Sequence, residues 1–99
     1  MKKYIIFLFC IYLNINTFSQ SFSISGYIKD SASSEAIVGA MIFEPTTNTA
    51  VLSNEYGYFS IQVAKGSYAI ECSSLGYLTQ TKNVQVNRNT HIDFKLPSQ

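Results

Sequence analysis

One histidine, two cysteines, six carboxylates and a scatter of serines are the side chains in this sequence with the means to do chemistry. His91 stands two residues before Asp93, so in an extended segment the two share a face. A base held by an acid is part of a nucleophilic constellation, but the constellation also needs a hydroxyl or thiol within reach of the imidazole. Nothing in the spacing supplies one, and the pair reads as a surface hydrogen bond. Glycoside cleavage would draw two carboxylates from Glu35, Glu44, Glu55 and Glu71, with one desolvated so that its pKa rises. All four fall on expected loops or outward strand phases, where nothing desolvates them. A transition-metal site needs several converging ligands, and a single His with one apolar-phase Cys does not provide them. Asn54 and Glu55 offer oxygens to a hard cation, in too small a number. The expectation is no catalytic residue, no cofactor and no metal.

The elements that position these residues follow from periodicity. Aromatic content is 14%, all Phe and Tyr, charged content is 13%, and Ser, Thr and Asn fill the polar positions, a mixture that favours strands. No window carries a 3.6-residue apolar stripe. Period-two alternation recurs instead, broken by turn residues every eight to twelve positions. Phe22, Ile24, Gly26 and Ile28 alternate with Ser23, Ser25, Tyr27 and Lys29, and 30–35 (DSASSE) is a polar loop. The run 37–44 (IVGAMIFE) reads as a second strand with Ala40 and Ile42 inward. Pro45 to Asn48 turns the chain into a short strand over 49–52. Ser53 to Gly57 is the sharpest turn. Asn54 closes it through its side-chain oxygen and Gly57 takes a positive φ. Phe59, Ile61 and Val63 point inward, Ala64-Lys65-Gly66 reads as a hairpin loop, and Tyr68, Ile70 and Cys72 line the next strand. Gly76 marks a bend before Tyr77. Val84 and Val86 continue, Asn87 to Asn89 turns, and Ile92, Phe94 and Leu96 form the last inward row. Seven strands fit this length. The turn-defining residues are therefore Asn54, Gly57, Gly66 and Gly76.

The first nineteen residues differ. Lys2 and Lys3 precede the ten-residue apolar run 4–13 (YIIFLFCIYL), and Thr17 and Ser19 are small residues suited to cleavage before Gln20. This is the layout of a secretory signal peptide. The run is too short for a spanning helix, and Leu8 and Phe9 are too bulky to make Cys10 a lipidation site. The expectation is a signal peptide over 1–19, one domain over 20–99 and no integral membrane span in the mature chain. Cys72 is then the only thiol left, on the apolar phase of its strand, and acts as a small buried hydrophobe. Removal of Lys2 and Lys3 leaves five basic against six acidic side chains, with both signs scattered. Nucleic-acid binding leaves a clustered basic footprint, so that partner class is set aside. What remains is binding by a surface. Tyr27, Met41, Phe43, Tyr58 and Tyr77 fall on outward phases or near turns, where they could stack on sugars or dock a partner domain.

The pattern resembles a known family. Gly26-Tyr27-Ile28-Lys29-Asp30 followed by Ile37-Val38-Gly39-Ala40 resembles the opening of the carboxypeptidase regulatory-like domain. Asn54 to Ile61 (NEYGYFSI) resembles its D-x-x-G-x-F-x-L turn. Gly66 to Ile70 (GSYAI) and Ser74-Leu75-Gly76-Tyr77 resemble its G-x-Y-x-L and S-x-x-G-Y finish. Asn54 departs from the usual Asp, keeping the acceptor and losing the charge, and Val38 departs from a frequent Pro. The resemblance implies an all-β, seven-stranded, transthyretin-like Greek-key sandwich. Such a domain is a non-catalytic accessory of metallocarboxypeptidases. In Bacteroidota it forms the periplasmic N-terminal extension of TonB-dependent outer-membrane receptors, ahead of plug and barrel. A leader directly before the domain matches the second arrangement, whether as a receptor N-terminus or as a stand-alone copy. The partner implied is a receptor plug or barrel or another envelope component. The alternative is a secreted or surface binding module for a carbohydrate or peptide, and an accessory subunit to a separate peptidase ranks third.

Overall fold

The computed structural model describes residues 20–99, so the expected signal peptide over 1–19 lies outside the described residues. Eight strands follow in order: β1 (Ser21–Asp30), β2 (Met41–Glu44), β3 (Thr49–Leu52), β4 (Tyr58–Ala64), β5 (Gly66–Ser73), β6 (Gln80–Val86), β7 (Thr90–His91) and β8 (Phe94–Leu96). They form two sheets. In the first, β1 lies between β4, which is antiparallel, and β7 and β8, which are parallel to it. In the second the order is β3-β2-β5-β6, all antiparallel. β7 and β8 run along the same edge of β1 and are interrupted only at Ile92-Asp93. Counted as one broken strand, they give the seven expected for a transthyretin-type β-sandwich.

Alternation places the core. Ile24 and Ile28 of β1, Phe59, Ile61 and Val63 of β4, and Phe94 and Leu96 of β8 line one inner face. Ile42 of β2, Ile70 and Cys72 of β5 and Val86 of β6 line the other. Each such aliphatic contributes roughly 1.5–3 kcal/mol by leaving water. The Phe59 and Phe94 rings meet across the first sheet with centroids 6.1 Å apart. The inward rows read from the sequence face the core, with Phe22, Tyr68 and Val84 only partly buried, as is Ile92 where the last strand breaks.

Two local expectations are corrected. The segment 37–44 is not one strand; only Met41–Glu44 is. Gly39 sits at φ 73°, outside the strand region. The buried Ser53 hydroxyl donates to the Ile37 carbonyl (2.6 Å) and accepts from the Ala40 amide (2.9 Å), taking groups a ladder would have used. Ala64-Lys65-Gly66 is not a hairpin either. β4 pairs with β1 and β5 with β2 and β6, so this segment carries the chain from one sheet to the other. Gly66 is the first residue of β5, with no positive φ, and an added Cβ would meet only ordinary contacts with Tyr68. The corner is fastened by Tyr68, whose hydroxyl donates to the Ala64 carbonyl at 2.7 Å.

Two other glycines are forced by geometry. A Cβ on Gly26 would lie 1.6 Å from the Ile92 carbonyl oxygen, because the broken strand passes directly over the middle of β1. A Cβ on Gly57 would lie 2.5 Å from the Ile28 carbonyl oxygen, and Gly57 has φ 75°. Gly26→Ala is therefore expected to destabilise by more than about 3 kcal/mol, since β7 and β8 must lift from β1. Gly57→Ala is expected to cost about 1–3 kcal/mol, and Gly66→Ala less than about 1 kcal/mol. Urea unfolding midpoints of the three variants check this ordering, and a Gly26→Ala protein that melts with the parent contradicts it.

Candidate interaction surfaces

The five side chains singled out as an interaction surface do not share one. Tyr27 and Tyr58 lie on the outer face of the first sheet, Met41 and Phe43 on the outer face of the second, and Tyr77 in the joint between sheets.

On the first sheet, Tyr27 has the opposite phase to Ile28 and is the direct cross-strand partner of Tyr58. The two rings meet edge to face at 5.4 Å and are 41% and 37% exposed. His91 stands 6.4 Å from Tyr27, and the Lys29 ammonium lies 5.9 Å from the centre of the Tyr27 ring. His91 Nε2 is 2.9 Å from Asp93 Oδ1, as the two-residue spacing implied. Asp93 has a second task. The same oxygen accepts the Tyr27 amide at 2.8 Å, so a carboxylate replaces the backbone carbonyl that the interrupted strand fails to offer. Across the sheet edge, Lys82 donates to the Asp93 carbonyl and its ammonium lies 5.3 Å from the Phe94 ring.

On the second sheet, Met41 pairs with Leu52, and Phe43 pairs with Ala50 on one side and Glu71 on the other. Met41 is 39% and Leu52 66% exposed, while Phe43 is half-buried among its neighbours. Exposed Val38 precedes this strand. Leu52 was missing from the sequence reading. A four-residue strand does not announce its phase, and only the register opposite Met41 shows which way it points.

Tyr77 is a joint. Its hydroxyl donates to Asp30 Oδ2 at 2.9 Å, while Asp30 Oδ1 accepts the amides of Ala32 (2.8 Å) and Ser33 (3.0 Å). The Ser33 amide, the Tyr77 hydroxyl and the Ala32 amide together hold the Asp30 carboxyl below its ordinary range, against a small desolvation. The bond to Asp30, followed by burial and the charges of Asp30 and Glu35, pushes the Tyr77 phenol up. The two family-like motifs that carry these residues are thus one contact in space. The Asn54 turn forms as expected. Its Oδ1 accepts the amides of Tyr56 (2.9 Å) and Tyr58 (3.0 Å), and the Gly57 carbonyl receives the Ile28 amide at 2.8 Å. Gly76 turns at φ 87°, and its carbonyl accepts the Gln99 amide at 2.9 Å.

The carboxylates hold one correction. Glu44 was placed on an outward phase, yet its side chain is fully buried at the end of β2, on the phase of Ile42. It accepts the amides of Thr46 (2.7 Å) and Thr47 (2.8 Å) and the Thr47 hydroxyl, closing the turn into β3. Burial raises its pKa, but these donors outweigh burial and bring it down to about 2. That is opposite to the shift a general acid needs. Cys72 is fully buried, and desolvation pushes its thiol up to about 12. Among the described residues, no three His, Cys, Asp or Glu side chains gather to hold a metal, and no helix is long and apolar enough to cross a membrane. An open groove of about 380 Å³ runs along β5 and β6, lined by residues including Tyr68 and Val84.

The family model of the CarboxypepD_reg-like domain matches residues 24–99. The chain belongs to this family. The carboxypeptidase regulatory-like domain is also similar in fold to solved structures. One is a type II cohesin–X–dockerin complex from Acetivibrio cellulolyticus, at 26% identity and TM-score 0.64, covering 74% of this chain and 52% of that one. Another is a protein from Bacteroides fragilis described as membrane-associated and of unknown function, at 22% identity and TM-score 0.59, covering 79% and 28%. A third is a 3-chlorocatechol 1,2-dioxygenase from Rhodococcus opacus, at 8% identity and TM-score 0.61, covering 85% and 62%. The domain spans about half the length of the first of these. No curated protein matches the chain.

The Glu44 turn gives the domain an acid-sensitive point. Its folded pKa lies below the ordinary 4.5, so its contribution is complete above about pH 4.5 and is lost as the pH falls toward about 2. Glu44→Gln is expected to cost about 1–3 kcal/mol at pH 7, with the gap to the parent narrowing by pH 3. Unfolding free energies of both proteins at the two pH values check this, and a gap that widens on acidification contradicts it.

Proposed function

We propose that this carboxypeptidase regulatory-like domain is a non-catalytic, exported accessory domain that works by protein contact, at the N-terminus of a TonB-dependent outer-membrane nutrient receptor or alongside one. The observation that carries the reading is the division of labour in a family domain of this size. Its interior is filled by aliphatic and aromatic packing, and the side chains left for recognition lie on two open sheet faces. The Met41, Leu52 and Phe43 face has the flat, apolar character of a docking surface. The Bacteroides fragilis neighbour described as membrane-associated is consistent with a setting at the envelope. The leader expected over 1–19 supports the exported part of this reading, with the periplasm or the outer membrane as the proposed setting.

A second reading is supported by the Tyr27–Tyr58 pair. Two partly exposed rings flanked by Lys29, His91 and Asp93 are equipment for a stand-alone secreted or surface module that binds a carbohydrate or peptide.

A photoreactive residue at position 41 or 52, in cells that produce the chain, distinguishes the two. The receptor reading expects adducts to the plug or barrel of an outer-membrane receptor, within the same polypeptide or to another. Adducts to a soluble peptidase, or none from either position, contradict it. Saturable oligosaccharide binding that Tyr58→Ala abolishes would favour the second reading instead.

A further inference from the structure

The outer face of the first sheet carries a pairing that the fold does not call for. Lys29 of β1 and Lys95 of β8 are direct partners in the parallel ladder, so their side chains emerge side by side on one face. Like charges directly opposite one another destabilise a sheet. Among the described residues neither ammonium has a carboxylate within salt-bridge distance; the neighbouring Asp93 is paired with His91 and with the Tyr27 amide. Lysine on an exposed edge strand is a common guard against unwanted strand pairing, which accounts for Lys95 on β8. It does not account for Lys29, which lies on the central strand. Between the two lysines is a recess of about 80 Å³, lined by Tyr27, Lys29, Asp93, Phe94 and Lys95.

We propose that this recess binds a carboxylate from an acidic segment of a partner protein, held between the Lys29 and Lys95 ammonium groups. The size of the recess selects the occupant. It is well below the roughly 300–1,000 Å³ of pockets that enclose small molecules. It has room for a small polar group such as a carboxylate and not for an enclosed ligand. A sugar stacks on an open ring face such as that of Tyr58 and not in this recess, where the Lys29 ammonium lies over the Tyr27 ring. A carboxylate needs no such face, and it draws both ammonium groups toward itself, relieving their repulsion. The Asp93 carboxylate at the rim sets the register. It repels a second acidic side chain on the His91 side, so the acidic residues of the partner should run toward the β8 edge and not across Tyr58. The inference rests on the interaction-domain reading and adds the chemistry of the partner.

The test is an amide-shift titration of the purified chain with a capped triglutamate peptide and its triglutamine counterpart, at 50 mM and 300 mM salt. The triglutamate peptide is expected to move the amides of Tyr27, Lys29 and Lys95, and to weaken at the higher salt as exposed charge contacts do. Lys29→Gln and Lys95→Gln are each expected to weaken binding about fivefold or more, and together to abolish it, while Lys65→Gln changes nothing. Both lysines are exposed, so the variants are expected to melt at or above the parent temperature. Equal binding of the triglutamine peptide, unchanged binding in the double variant, or shifts confined to other faces would overturn the proposal. So would a uronic-acid oligosaccharide that moves the same amides more strongly. A chain that cross-links through position 41 yet ignores the acidic peptide keeps the interaction reading and loses this one.

Discussion

The passage of the broken last strand over Gly26 is the contact on which the first sheet depends. β1 is the middle strand, and its two neighbours have no other partner in that sheet. β7 and β8 reach it in parallel, and the Ile92 carbonyl comes so close that only a hydrogen fits on the α-carbon beneath. The ladder cannot continue through that approach. It stops at Thr90–His91 and resumes at Phe94–Leu96, and the Asp93 carboxylate takes the Tyr27 amide left between them. One side-chain oxygen thus supplies the acceptor that the interrupted ladder lacks. His91 and the Tyr27 ring are held where they are by the same arrangement. The placement of these two side chains is therefore a by-product of how the strand is broken.

A second set of constraints ties the sheets to each other. The Tyr77 hydroxyl reaches Asp30 of the first sheet from the connection between β5 and β6, and Tyr68 clasps the corner where the chain changes sheets. Ser53 holds the 37–40 loop by two buried hydrogen bonds, and Glu44 closes the β2–β3 turn with three. Among the described residues no disulfide does this work, and Cys72 is a free, buried thiol. Polar side chains buried at the ends of strands serve as fasteners, and the sheet faces are left free of that duty. Shared fold does not carry function: a dioxygenase has the same architecture at 8% identity. The site, and not the sandwich, must carry the functional argument.

Much of this was legible in the sequence, and the reason is the period of two. Ile24, Ile28, Phe59, Ile61, Ile70, Cys72, Phe94 and Leu96 declared their phase, and Asn54 and Gly57 declared their turn. What was not legible depends on pairing between distant segments. IVGAMIFE alternates as a strand does, but its first half is pulled out of the ladder by Ser53, sixteen residues away from Ile37. Ala64-Lys65-Gly66 has hairpin composition, and composition does not reveal that β5 pairs elsewhere. Glu44 looked outward because a carboxylate usually is, although its own phase put it with Ile42. The five side chains of the candidate surface divide over two sheet faces and, for Tyr77, the joint between the sheets, because phase alone does not say which sheet a strand joins.

β1, threaded under the broken strand at Gly26, is expected to be the element that opens last. Native-state hydrogen exchange tests it most directly. The amides of Ile24, Gly26 and Ile28 should exchange only through global unfolding, with protection free energies equal to that from denaturant melts, while those of the edge strand β6 exchange through smaller openings. If β1 amides exchange as fast as those of β6 while the protein remains folded, the first sheet does not hang on this strand and the account is wrong.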